Sequence, residues 1–325
     1  MLKKGCGIST LSIIILIGCG YWYFWYLWAL PIGCPPDCFN AQLMNKDLTG
    51  KDFSGANLAG ANLRGANLSD VNFKRANLRM TNFVDANLEK VDLRKANLLG
   101  TDLRRASLSG ANLSGASLIT VDLTLADLTG ADLSGTVLIA VNFELAKLVG
   151  VNLSNVNLGA INLHNVNLRV ANMQSTNLAG ANLSDADMSG VNLTDADLRG
   201  ANLNRAKLYG ADMSRADMSG ATLIKADISG NLYESKLIGS VLVGSVLNGA
   251  DLRSANLRGA RLRASELRDG DFSDFKLSDP IFIELSDEQL RELISTDAKL
   301  EGVRYDHKTK WPVGFEIPFT AILEE

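Results

Sequence analysis

Side chains suited to acid-base, nucleophilic or metal chemistry are few and scattered in this 325-residue chain. The two histidines, His164 and His307, sit in separate parts of the sequence, so no dyad is evident. Of the four cysteines, Cys6 and Cys19 lie in or near an apolar run, while Cys34 and Cys38 flank Pro-Pro-Asp just beyond it. One isolated Cys pair with no His or second pair beside it does not make a zinc set. In an oxidising compartment the same pair, Cys34 and Cys38, is a candidate disulfide closing a small loop. Asp recurs at 122, 127, 132, 187 and 197, where neighbouring stretches carry Asn, so these carboxylates read as repeat grammar. Paired carboxylates on a β scaffold could cleave a polysaccharide. That alternative lacks any break in the repeat at which a cleft would form. No catalytic residue, metal set, cofactor or small-molecule substrate is expected.

The element that must position everything else is a five-residue phrase, as in Ala56-Asn-Leu58-Ala-Gly60 and Ala61-Asn-Leu63-Arg-Gly65. From Leu43 every fifth residue through Ile228 is apolar: 38 positions, of which 29 are Leu, four Phe, four Met and one Ile. Two residues before each, except at Lys46 and Lys51 at the very start, sits a small or β-branched residue, usually Ala, with Val at 71, 91, 121, 141, 151, 156, 166 and 191. The series slips once, by a step of four from Ile228 to Leu232, and then resumes through Leu277.

Neither a helix nor a flat strand can use this pattern. Apolar spacings of 2 and 3 scatter around a helix, and in a strand the step of 3 sends the next pair to the opposite face. The backbone must therefore corner after every Leu, where Gly, Ser, Asn, Asp and Arg are common and suit a solvent-facing bend. Ala and Leu then point inward, small beside large, so that successive layers interlock.

The phrase Ala-(Asn/Asp)-Leu-x-x resembles that of the pentapeptide-repeat family. The resemblance implies an all-β fold, a right-handed four-sided parallel β-helix in which four repeats make a 20-residue coil. The 48 repeats over residues 41–277 then give about twelve coils, a rod roughly 55 to 60 Å long at about 4.8 Å per coil.

Outside the rod, residues 1–33 are expected to form a membrane anchor. The run from about 8 to 30 is long and apolar enough to span a bilayer as a transmembrane helix, with an aromatic second half (Tyr21 to Trp28) suited to the interface. Alternatively, Leu16-Ile-Gly-Cys19 resembles a bacterial lipobox, which would make Cys19 a lipidation site, or the run is a cleaved signal. In each case Lys3 and Lys4 keep the N-terminus cytoplasmic and put the rod on the extracytoplasmic side, in a periplasm or thylakoid lumen. Residues 34–40 read as a linker and N-cap. In 278–325, Ser286-Asp-Glu-Gln289 reads as a capping box opening a short helix that caps the last coil. The stretch Tyr305 to Phe315 is similar to a tail common on cyanobacterial members of the family.

Residues 20 apart should stack. Leu99, Ile119 and Ile139 then form an outward apolar column with Val137 beside it, and Leu125 over Leu145 forms a second at a corner. Such columns on a rod with no other recognition feature fit a strip for a protein partner. Lys74 and Arg75 lie beneath Arg94 and Lys95, a basic patch facing anionic lipid, an acidic partner or only solvent. Some family members protect DNA gyrase by imitating a DNA duplex, the other alternative. Residues 41–277 hold 25 Lys and Arg against 24 Asp and Glu, a net of +1, which is no polyanion. The rod also has no basic stripe with interleaved aromatics for binding nucleic acid. The sequence thus points to a non-enzymatic, membrane-tethered scaffold.

Overall fold

The structure, a computed structural model, describes residues 34–257, Ala260 and Ser265, and the backbone of 304–305 and 322–323. The expected membrane span, Cys19, the capping-box helix and His307 lie outside the described residues. Among the described residues no helix is long and apolar enough to cross a membrane.

Residues 34–257 wind into a four-sided β-helix. Along most of the rod the residue before a buried Leu bridges in parallel to the residue 20 positions later, as in Asn57 with Asn77 and Asn77 with Asn97. The two residues after each Leu make the corner. The carbonyl of Leu58 accepts from the N–H of Ala61 at 3.0 Å, and Gly60 between them has φ of +69°. That left-handed corner explains the Gly, Asn and Asp at the fifth position of each repeat. Where Leu125 or Val170 stands there instead, φ is still positive, at 61° and 50°. The fold overrides the residue's own preference.

The inward pair is sealed. Leu58, Leu63, Leu68 and nearly all of their successors are buried, most with Ala beside them. Near the start Phe53 stacks on Phe73 with ring centroids 5.5 Å apart. Thr in the small slot satisfies its hydroxyl on the backbone: Thr101 Oγ1 lies 2.7 Å from the Leu98 carbonyl oxygen and 2.9 Å from that of Leu78, so its one proton has an acceptor on either coil. At the N-terminal end Cys34 and Cys38, both buried, are joined by a disulfide over a Cα separation of 4.7 Å.

The outward Asn and Asp side chains hold the corners. Asn77 Oδ1 accepts from the amide N–H of Arg79, two residues on, while its Nδ2 donates to Asn57 Oδ1 at 2.9 Å. Such ladders run coil over coil, for example Asn192 to Asn172 to Asn152, and tie the polar surface into the repeat.

The slip after Ile228 is a single coil of 19 residues: Asp212 bridges Asn231 and Asp227 bridges Val246, after which Asn231 to Asp251 returns to 20. Gly230 takes the small slot there. A Cβ on it would sit 2.5 Å from the Ala211 carbonyl oxygen, so the shortened coil requires Gly.

The unbroken ladder expected from the repeat is interrupted at one place. Between the coil of residues 136–155 and the next, the bridges that would join Val137 to Asn157 and Asn142 to Asn162 are absent among the described residues. The N–H groups of Leu138, Ala140, Phe143 and Leu145 make no backbone bond to the following coil, and those of Asn157, Asn162 and Asn167 make none to the preceding one. The two coils remain joined on the other two sides, where Leu148 donates to Asn167 at 3.3 Å, Gly150 to Arg169 at 2.9 Å, Leu153 to Asn172 and Asn172 to Val151. The cause is in the small slots. Val156, Ile161 and Val166 fill three successive sides of one coil, over Thr136, Val141 and Ala146. One such stack is accommodated elsewhere, as at Val71 and Val91; three adjacent ones overfill the interior, and the coils part. Leu138, Val141 and Ile161 are only partly buried in consequence.

Two short parallel strands, β1 (Ser117–Ile119) and β2 (Val137–Ile139), pair just before the gap, with Ile119 opposite Ile139. Ser117 and Val137 stand where most repeats carry the Asn or Asp that caps the corner, and the β-branched Ile that follows Leu118 and Leu138 favours an extended chain. Far along the chain, β3 (Arg304–Tyr305) and β4 (Ile322–Leu323) also pair in parallel.

Candidate docking surface

Leu99, Ile119 and Ile139 do stack. Gly100 donates its N–H to the Ile119 carbonyl and Thr120 to that of Ile139, each at 2.8 Å, so successive corners carry the three side chains one above another. Leu99 and Ile119 are half-buried, whereas Val137 and Ile139 are 47% and 53% exposed. At the next corner Leu125 and Leu145 stand 50% and 64% exposed, linked by the Leu125 N–H to the Glu144 carbonyl.

Two features of this surface escaped the sequence reading. Met80, 68% exposed, lies beside Leu99 and over Gly100, where a Cβ would run into its sulfur; its place one residue after Arg79 gave no apolar signal. The other is the gap itself, a cleft of about 260 Å³ lined by Leu138, Ala140, Val141, Leu158, Gly159 and Ile161 among others. Its signal was present in the run of β-branched small slots at 151, 156, 161 and 166.

The basic residues also meet at one corner: the N–H of Arg75 donates to the carbonyl of Arg94, and Lys74 and Lys95 complete the pairs. Asp92 offsets this charge, holding Arg94 through Nη2 to Oδ2 at 2.5 Å and Nε to Oδ1 at 2.8 Å. Elsewhere corner charges are matched coil to coil. Asp85 accepts from Arg105 Nε at 2.6 Å, with Arg64 at 3.5 Å, and Asp185 and Asp195 are held alike by Arg205 and Arg215. His164 Nδ1 lies 2.9 Å from the Ser184 carbonyl oxygen and 3.6 Å from Asp185. Among the described residues no cluster of His, Cys, Asp or Glu could hold a metal ion.

These hydrogen bonds set a pH dependence. The Arg105 guanidinium, and after it the neighbouring Arg charges, hold the Asp85 carboxyl below the ordinary value of 3.8, and Arg205 and Arg215 do the same for Asp185 and Asp195. A depressed folded value means that the stabilisation is present above 3.8 and is lost as pH falls through the lower folded values. The melting temperature is therefore expected to be flat from about pH 5 upward through neutrality and to drop only below about pH 4. A drop beginning near pH 6 would contradict it.

Comparison with known proteins agrees with this geometry. The family described as Pentapeptide repeats matches in 8 copies, over residues 52–89, 86–124, 117–155, 126–165, 161–200, 192–230 and 231–279. No curated protein matches the chain. Among solved structures, the chain is similar to HetL, a pentapeptide repeat protein involved in heterocyst differentiation regulation from the cyanobacterium Nostoc sp. strain PCC 7120. The two share 32% identity over 70% of this chain and 89% of that one, with a TM-score of 0.25. A pentapeptide repeat protein from the Arabidopsis thaliana thylakoid lumen shares 35% identity over 35% of this chain and 72% of that one, with a TM-score of 0.17. Full-length QnrB1, a plasmid-mediated fluoroquinolone resistance protein, shares 18% over 78% and 98%, with a TM-score of 0.25. The assignment rests on the family matches, which cover most of residues 52–279. The chain belongs to the pentapeptide-repeat family.

Proposed function

We propose that this rod is a non-enzymatic scaffold, tethered to a membrane by its apolar N-terminal run, with the rod on the extracytoplasmic side and a partner protein docked on its apolar corners. The observation that carries the reading is the exposure of Val137, Ile139, Leu125 and Leu145 together on two adjacent corners of a rod whose other corners are mostly polar. Large side chains left in water at neighbouring positions mark an interaction face, and their burial on docking would contribute about 25 cal/mol per Å² of apolar surface removed from water. The mixed, matched charges at Asp85, Asp185 and Asp195 favour this over imitation of a nucleic acid, which requires an unmatched polyanion.

The test is site-specific photocrosslinking in intact cells. A photoreactive residue at Leu145 is expected to capture one predominant membrane-associated protein, and the same residue at Gln174, exposed on the opposite corner of the rod, is not. The double substitution Leu125→Lys and Ile139→Lys should remove that capture while changing stability by no more than about 0.5 kcal/mol per site. Equal capture from both positions, or capture that survives the double substitution, overturns the reading.

A further inference from the structure

We infer that the cleft between the coil of residues 136–155 and its successor is a strand-accepting site, which takes up an extended, uncharged segment of a partner polypeptide by hydrogen bonding to both of its edges. The inference rests on the scaffold reading for its partner but on a different observation, the parted ladder.

The cleft is bounded by two parallel backbones that have lost each other. On the preceding coil the N–H groups of Leu138 and Ala140 face the gap; in the intact ladder of the neighbouring coils their counterparts Leu118 and Thr120 sit in register with the next coil. Across the gap, the carbonyls of Asn157 and Gly159 are the acceptors those donors would have met, and no hydrogen bond to either carbonyl is present among the described residues. Donors two residues apart on one wall and acceptors two residues apart on the other have the period of a β-strand. One strand running parallel to both coils would accept from Leu138 and Ala140 with its carbonyls and donate to Asn157 and Gly159 with its N–H groups. A hydrocarbon or lipid chain would leave all four polar groups buried and unpaired, a penalty that a peptide backbone avoids. The chemistry of the walls therefore selects a peptide.

The lining fixes the kind of peptide. Leu138, Val141, Leu158 and Ile161 make the floor and sides apolar, while Ala140, Gly159 and Ala160 leave room for backbone to approach. No Lys, Arg, Asp or Glu lines the cleft, so a charged side chain pointing inward would enter unpaired. The segment that fits is four to six residues long, roughly the length of one side of the coil, with small or β-branched residues at alternate positions facing in. Addition of a strand to an unpaired edge is a general mode of peptide recognition, with backbone bonds giving affinity and alternate side chains giving selectivity.

The experiment uses the full chain in detergent and an end-capped, fluorescein-labelled hexapeptide of alternating Thr and Val. Saturable binding by fluorescence anisotropy is expected, with amide exchange at Leu138 and Ala140 slowed at least tenfold in the complex. The same peptide N-methylated at alternate residues, which keeps its apolar side chains but cannot donate, should bind at least tenfold more weakly. Val156→Ala, Ile161→Ala and Val166→Ala together return the small slots to Ala. This variant should close the ladder, slow exchange at Leu138 and Ala140 without any peptide, and abolish binding. Equal binding of the N-methylated peptide, binding to the triple variant, or no protection at Leu138 and Ala140 overturns the inference. The Leu125→Lys variant, altered away from the cleft lining, separates the two readings. Peptide binding that persists in it while crosslinking at Leu145 is lost supports both, whereas crosslinking at Leu145 without peptide binding leaves the scaffold reading standing and removes this one.

Discussion

Leu118→Asp is expected to destabilise the rod by about 3 to 5 kcal/mol, the range for leaving a charge buried and unpaired. Leu118 is fully buried, and both coils that flank it are joined to its own by intact backbone bonds. The carboxylate cannot reach water without breaking that seal, and no cation lies in the interior to receive it. Leu138, one coil later and paired with Leu118 in register, is only partly buried at the lip of the cleft. Leu138→Asp should therefore cost at most about half as much, because the same group can turn into the opening and keep its hydration. Urea unfolding followed by far-ultraviolet circular dichroism compares the two. Equal losses would mean that the coils do not part there.

Gly230→Ala is the second large effect, at about 2 to 4 kcal/mol, near the upper end for overpacking because the obstacle is backbone. The added methyl would meet the Ala211 carbonyl oxygen at 2.5 Å and its nitrogen at 3.1 Å. A flexible side chain could move aside; a main-chain carbonyl that belongs to the ladder cannot. Inserting one residue after Ser229 to restore a 20-residue coil should rescue the Ala variant by relieving the crowding. Thermal melting of the single and rescued variants checks both statements, and a Gly230→Ala protein as stable as the parent would show that the short coil has slack.

Most of this fold was legible in the residues because its grammar is local. Spacings of 2 and 3 forced a corner after each Leu, and the single step of four at Ile228 to Leu232 marked the 19-residue coil. The stacking of Leu99, Ile119 and Ile139 followed from the 20-residue repeat. What did not follow was the parting of the ladder. Each of Val156, Ile161 and Val166 fits its slot by type, and Val71 over Val91 shows that one such pair can be housed. The conflict arises only when three sides of one coil are enlarged together, which is a property of volume summed around the coil and invisible to any single repeat. Met80 was missed for the opposite reason: its exposure depends on Gly100 beneath it, 20 residues away. The corner charges were legible as residues but not as pairs, since Asp92 takes Arg94 from its own repeat whereas Asp85 takes Arg105 from the next coil.

Because the parted coils stay fastened on two adjacent sides, through Leu148, Gly150, Leu153 and Asn172, the rod carries a line of weakness that acts as a one-sided hinge under load. Coupling between neighbouring coils is what makes a solenoid melt as one body, and here it is thinnest in mid-column. Pulled or sheared, the segment before the hinge and the segment after it would yield at separate loads, and the direction of bending is already chosen by the flank that remains sewn.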